Sequence, residues 1–283
     1  MRLIDEISFF LKENGFESSV LLRHGFDVVC TRTGCCAEER IILPLEIGSS
    51  SEEEAARAGE EASECIRFIR SSEGYPLIIT EDRWHRQKGM TQARLLAHLE
   101  VFTAAYARNC EIRRIEKAEA QEFLNAHHSY GYAACRYRYG LFLKRHTGHT
   151  RNDIPPGTLI AVATFSNARK WQKGDRTIRS YEWTRYASLP HLRISGGMGR
   201  MLKAFIEEVK PDDIMSYADL EWSEGEAYGN LGFIQEAGKG PVMFRIDSGT
   251  WERTPVKPGI MEGNLYFRNF GSNKYRLKLT DYE

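Results

Sequence analysis

Residues 3–13 carry Ile4, Ile7, Phe10 and Leu11 at helical spacing and close on Asn14-Gly15, which predicts a helix with a C-cap. Three β-rich runs follow at 18–23, 26–31 and 40–47, separated by His24-Gly25 and by the turn at Gly34, the pattern of an antiparallel meander. Serines 49–51 cap a long Glu- and Ala-rich helix that runs to 71 and ends at Gly74. YPLIIT at 75–80 is an apolar strand, and 81–102 is helical again.

The pattern restarts at Cys110. Residues 110–115 form a strand, 117–127 a helix, and 137–144 and 158–166 a pair of strands joined by a polar loop. A second polar loop, 167–176, leads into a strand at 177–187. Gly196, Gly197 and Gly199 then precede a helix whose Met201, Leu202, Phe205, Ile206 and Val209 repeat at three and four residues, until Pro211 stops it. A strand at 213–217, a helix at 223–230 and a β region from Gly232 through Ile246 complete the reading. The expected fold is α/β, with a small N-terminal unit and a C-terminal mixed central sheet flanked by helices.

Charge sharpens this division. Residues 1–113 hold 14 Lys+Arg and 19 Asp+Glu, a net of −5, and 114–283 hold 25 and 20, a net of +5. The sign changes where the pattern restarts, and we expect domains at 1–108 and 109–283. Over the whole chain 39 basic and 39 acidic side chains balance, which argues against a protein that coats nucleic acid non-specifically. No apolar stretch approaches the ~18 residues of a membrane span, and the opening MRLIDEISFFLKENG is charged where a signal peptide would be apolar. A cytoplasmic protein without a membrane partner is expected. Cysteines 30, 35, 36, 65, 110 and 135 contain no C-x-x-C pair and read as reduced thiols. Cys35-Cys36 with His24 is poor zinc geometry, and no metal site is expected.

Chemistry begins at the glycine turn. A strand running through such a turn into a helix offers free N–H groups and the positive end of a helix dipole, an anion site suited to phosphate. At the end of the next strand come Tyr217, Ala218 and Asp219, then a helix ending in YGNLGF. This order, with Glu182 on the strand before the turn, resembles the GNAT superfamily of acyl-CoA-dependent N-acyltransferases over 110–270. The resemblance implies acetyl-CoA or another acyl-CoA as the donor, with its pyrophosphate held at Ile194, Ser195, Gly196, Gly197, Met198, Gly199 and Arg200. It also implies pantetheine between the fourth and fifth strands, a strand N–H that polarises the acyl carbonyl, and Tyr228 as the acid for the thiolate. With Gly197 and Gly199 as the glycines of the superfamily's Q/R-x-x-G-x-G/A turn, Ile194 stands where Gln or Arg is usual.

GYPLIITEDRWHRQKGMTQARLLAHL, FLNAHHSYGY, YEWTRYASLP and SYADLEWSEGEAYGNLGF further resemble phage and mobile-element proteins that join a nuclease-like region to a GNAT-like domain, and SYAD resembles the Mom family, which modifies adenine in DNA. DNA is therefore a second expected partner. A PD-(D/E)xK nuclease needs two carboxylates and a lysine; Asp27 and Glu46 supply the first, but Gly48 occupies the lysine position, so a degenerate domain that does not cut DNA is expected.

The candidate catalytic residues are Tyr228, Glu182 and Asp219, and each has a structural alternative. Tyr228 could pack its helix on the sheet, Asp219 could cap the following helix, and Glu182 could pair with Arg185. Ser216 and the surface pair Trp84-His85 read as structural. Arg136, Tyr137, Arg138 and Tyr139 alternate as a nucleic-acid face would, and equally as a half-buried strand would. Besides an acyltransferase and a base-modifying relative, a nucleic-acid-binding protein with lapsed sites stays open.

Overall fold

The computed structural model describes residues 1–32, 39–147, 153–257 and 265–282, so Cys35-Cys36 lies outside the described residues. The chain forms α1 (Leu3–Glu13), β1 (Ser18–Arg23), β2 (Phe26–Arg32), β3 (Glu39–Leu45), α2 (Glu52–Ser72), β4 (Leu77–Thr80), α3 (Glu81–Arg86) and α4 (Lys88–His98). It continues as β5 (Thr103–Tyr106), β6 (Cys110–Arg114), α5 (Lys117–His127), β7 (Tyr137–Leu143), β8 (Leu159–Phe165), β9 (Arg169–Lys173), β10 (Arg176–Ser188) and β11 (Leu192–Ser195). The last elements are α6 (Gly197–Val209), β12 (Asp213–Asp219), α7 (Glu226–Gly229), β13 (Ile234–Gln235), β14 (Met243–Ile246), β15 (Arg253–Pro255), β16 (Leu265–Arg268) and β17 (Ser272–Lys278). Two compact units result, the first comprising Met1–Glu100, Asp219–Glu224 and Gly238–Ser272, the second Val101–Ala218, Gly225–Ala237 and Asn273–Glu283.

The fold is α/β. In the first unit β1, β2 and β3 are antiparallel and β4 runs parallel to β3. Successive strand residues point to opposite faces. Val29 and Ile42 therefore meet Ile4, Ile7 and Leu11 of α1, while Val28, Cys30, Ile41 and Leu43 meet Ala62, Cys65 and Ile69 of α2. Because both faces are covered, these strands read as apolar runs rather than as alternation. Trp84 corrects the surface reading: it is 1% exposed and its indole N–H donates to Glu6 at 2.9 Å. The expected helix at 81–102 is broken at Gln87, where the Thr91 hydroxyl reaches the carbonyls of Arg83 and Gln87.

Segments far apart in sequence join this unit through buried charge. Arg253 donates to both oxygens of Asp82 at 2.8 Å and to Glu221 at 2.7 Å, and Arg83 donates to the other Glu221 oxygen at 2.9 Å. Arg94 donates to the carbonyls of Ile78 and Trp222, both at 2.8 Å, with its guanidinium over the Trp222 ring. Residues 219–224 and 238–272, expected with the C-terminal region, cluster here instead.

The second unit holds a sheet in the order β13-β17-β12-β10-β8-β7-β6, with β9 added on β10. α6 covers one face, where Phe205 stacks on Phe165 at 3.9 Å, and α5 covers the other through Ala120, Phe123 and Leu124 against Phe142 and Val162. The expected loop at 167–176 contains β9, a hairpin partner of β10 from Arg176 to Ser180. β5, unassigned in sequence, pairs with β11 in parallel.

Burial alone would raise the Glu221 carboxyl, but Arg253 and Arg83 outweigh it and hold it at about 2. A carboxyl depressed below its unfolded value of about 4.3 stabilises fully above that pH and loses the contribution as pH falls through its folded value. Thermal unfolding should therefore show a midpoint that drops between pH ~4.5 and ~2, and Glu221→Gln should flatten that limb. Arg253→Met leaves two buried carboxylates short of a cation and should cost about 3–5 kcal/mol at neutral pH in denaturant titrations.

Candidate active site

Three residue pairs hold β10 to β12: Ser180 with Asp213, Tyr181 with Ile214, and Glu182 with Met215. Their closed end is pinned by a buried carboxylate. Asp213 accepts from the Ser180 hydroxyl at 2.5 Å, from Arg276 of β17 at 2.6 Å and from the Tyr282 hydroxyl at 2.5 Å. Beside it, Asp212 accepts the Arg179 N–H at 2.8 Å.

Past Met215 the pairing stops, although β10 runs on to Ser188 and β12 to Asp219. β10 bulges between Trp183 and Arg185, so Thr184 leaves the ladder and reaches Thr164 of β8 through its hydroxyl instead. A bulge bends its strand. The two strands separate, and Ser216 is the first residue beyond the ladder. Its hydroxyl lies 2.9 Å from the Trp183 carbonyl oxygen and 2.8 Å from the Tyr228 hydroxyl.

Tyr228 is set in place by local sequence. α7 is capped by Gly225, φ 91°, where a Cβ would stand 2.4 Å from the Tyr275 ring. Only glycine combines that backbone with that approach. Tyr275 then stacks on Tyr228 at 5.3 Å, and Trp183 meets it edge-on at 6.0 Å. The Tyr228 carbonyl accepts the N–H groups of Leu231 and Phe233, so LGF folds back beneath the ring. Burial pushes the Tyr228 phenol up, while Ser216 and the charge of Arg185 pull it the other way.

Glu182 is half-buried, and its backbone N–H and carbonyl are both bonded to Ser166. Arg185 reaches the carbonyls of Gly131 and Thr184, tying the loop after α5 to β10, and burial lowers its pKa against the pull of Glu182. Asp219 accepts the Glu221 N–H at 3.0 Å, stands 3.6 Å from Arg83, and its carbonyl accepts from Trp222 and Ser223. It thus caps a turn in the first unit. Tyr137 and Tyr139 pack on Phe205, with Tyr139 donating to Glu208, so that strand alternates because one face is buried against α6.

Ile194 and Ser195 end β11, and Gly196, φ 75°, caps α6. The N–H groups of Gly197, Met198 and Gly199 precede the first intrahelical donor, the Arg200 N–H bonded to the Gly196 carbonyl, and so have no partner within the helix. Arg200 turns its guanidinium to the Ala107 carbonyl. A Cβ on Gly197 would meet Ile194 at 2.9 Å and the Tyr186 hydroxyl at 3.0 Å, and one on Gly199 would meet Leu231 at 3.1 Å. The turn therefore lies between β10, through Tyr186, and the segment after α7, through Leu231. Sequence reasoning missed β5 and Ala107 behind this turn and Tyr275 behind Tyr228. Gly225, one residue before the helix, was the available signal for the last.

Acetyltransferases are among the solved structures to which this chain is similar. A mutant spermidine N-acetyltransferase SpeG from Vibrio cholerae is 12% identical with a TM-score of 0.37, covering 60% of this chain and 94% of that one. The protein yncA from Salmonella typhimurium, solved with its cofactor acetyl-CoA, is 14% identical with a TM-score of 0.37, covering 62% and 96%. A GNAT-family acetyltransferase from Bacillus anthracis is 14% identical with a TM-score of 0.33, covering 60% and 95%. No family model matches the chain, and no curated relative does. No helix among the described residues is long and apolar enough to cross a membrane.

The packing separates two glycine substitutions. Gly197→Ala should lower the unfolding midpoint without any ligand, because Ile194 and Tyr186 must move. At Gly196 a Cβ meets only Ala107, at 3.8 Å, and Asp tolerates the left-handed backbone. Gly196→Asp should therefore stay folded, its carboxylate favoured by the helix dipole, while repelling an anion at the same N–H groups. Isothermal calorimetry with acetyl-CoA should show at least about a tenfold loss of affinity for this variant.

Proposed function

We propose that the chain is a GNAT-type acyltransferase that moves an acyl group from acyl-CoA to an amine. The observation that carries the reading is the end of the β10–β12 pairing after three residue pairs, with the Tyr228 hydroxyl just beyond it and the start of α6 between Tyr186 of β10 and Leu231 after α7. The donor's pyrophosphate suits the N–H groups of Gly197, Met198 and Gly199, and its pantetheine suits the gap. A β10 N–H near the bulge polarises the thioester carbonyl. Glu182 takes the proton of the attacking amine, and Tyr228 gives its proton to the departing sulfur. Asp219, also a candidate from sequence, is assigned no proton step: one oxygen holds the Glu221 N–H and the other faces Arg83.

One feature favours a nucleic-acid base as the acceptor, as in the Mom family. All five residues of β9 are exposed, and they place Arg169, Lys170 and Lys173 around Trp171 on a strand paired on one side. Such a ribbon suits phosphate and base contacts. In the first unit Asp27 faces Arg2 at 3.6 Å and Glu46 accepts the Leu3 N–H at 3.1 Å, so both carboxylates of the nuclease comparison are engaged, which supports a degenerate domain.

Calorimetry with acetyl-CoA tests the main reading; a wild type without affinity would turn it toward a lapsed enzyme. Tyr228→Phe should bind acetyl-CoA within about twofold of wild type, and thiol release against polyamines, peptide N-termini and single-stranded DNA should fall by about 10²-fold or more. DNA affinity that falls steeply across a salt series, and weakens in a Lys170→Ala/Lys173→Ala variant, would favour the nucleic-acid acceptor.

A further inference from the structure

Ser216 sits where the next ladder pair, Trp183 with Ser216, would fall, and it is 2% exposed. A serine carries one hydroxyl proton, yet two acceptors lie within reach, the Trp183 carbonyl oxygen at 2.9 Å and the Tyr228 oxygen at 2.8 Å. Two arrangements satisfy this geometry. In one, Ser216 donates to Trp183 and accepts from Tyr228; in the other, Ser216 donates to Tyr228 and frees the phenol proton for another acceptor. Concerted rotation of the two hydroxyls interconverts them. The first holds Tyr228 when no acceptor is present, and the second stabilises the phenolate that remains once the proton has left.

We infer that Ser216 is a positioning residue for Tyr228, switching its hydroxyl from the Trp183 carbonyl to the phenolate oxygen as the phenol gives up its proton. This rests on the acyl-transfer reading. There the amine nitrogen bonds the acyl carbon as the carbon–sulfur bond breaks, and sulfur takes the Tyr228 proton. The nitrogen releases one proton to Glu182, and return of a proton to the phenolate restores Tyr228. A hydrogen bond to the charged form is stronger than one to the neutral form, so the donor acts where charge develops. The bland alternative, that Ser216 only closes the end of the ladder, requires the Trp183 contact and nothing of Tyr228. Burial of the phenol works against ionisation, and Ser216 works for it.

The test follows Tyr228 without substrate. Protein labelled with fluorotyrosine, whose phenol ionises at lower pH than tyrosine, is titrated by fluorine NMR, with the Tyr228 signal assigned by its loss in Tyr228→Phe. Ser216→Ala, nearly isosteric, should raise the Tyr228 ionisation midpoint by about one pH unit or more, a tenfold change in the acid constant. Ser216→Thr, which keeps the hydroxyl on a β-branched residue suited to a strand, should stay within about threefold of wild type. A Tyr228 midpoint unmoved by Ser216→Ala, or moved equally by both substitutions, overturns the assignment and leaves the transferase reading standing. A wild type that binds no acetyl-CoA in calorimetry removes the reaction, and with it the role.

Discussion

Asp213 closes one end of the β10–β12 pair, and the end of pairing at the other has meaning only because this end cannot slip. A fully buried carboxylate is costly unless every lone pair is used. Here Ser180, Arg276 and Tyr282 supply donors from β10, β17 and the C-terminal segment, so one charge fixes the register of three parts of the sheet. Beyond the third pair the polar ladder gives way to Trp183, Tyr228 and Phe233, whose rings fill space that backbone hydrogen bonds would otherwise close. Ser216 marks the transition, the last polar link between strands that have parted.

The first unit uses the same device for another purpose. Arg253 between Asp82 and Glu221, with Arg83 on the second Glu221 oxygen, gathers α3, the turn after β12 and β15 around one cluster of opposite charges. Each member is engaged by at least one partner of the other sign, which is what makes the burial tolerable. The sharp turn that Asp219 caps belongs to this cluster, and α7 with Tyr228 begins a few residues later.

Much of the second unit was legible as periodicity. The amphipathic spacing of Met201, Leu202 and Phe205, the glycines before them, and the YGNLGF ending located α6, its glycine turn and Tyr228, because helix phase and glycine backbone needs are local properties. The alternation of Arg136, Tyr137, Arg138 and Tyr139 marked a strand but not which side was wet. That depended on Phe205, which packs against the tyrosines from far along the chain. β9 was hidden because Arg-Lys-Trp-Gln-Lys has the polarity of a loop; its strand character comes from its partner, Arg176 to Ser180.

By itself the sequence determined the α/β character, the order of helices and strands through most of the chain, the glycine turn, and the helix that carries Tyr228. These follow from spacing within about one or two turns of a helix or a few residues of a strand. Tertiary structure decided which carboxylates are engaged, since Asp27, Glu46, Asp219 and Glu221 look alike in sequence and differ only in the arginine or N–H group that reaches them. It also decided that 219–224 and 238–272 cluster with the first unit, through Arg253 and Glu221, and that Ser216 bridges Trp183 and Tyr228. Charge pairing and strand divergence depend on residues brought together from distant segments, and no local pattern encodes such meetings.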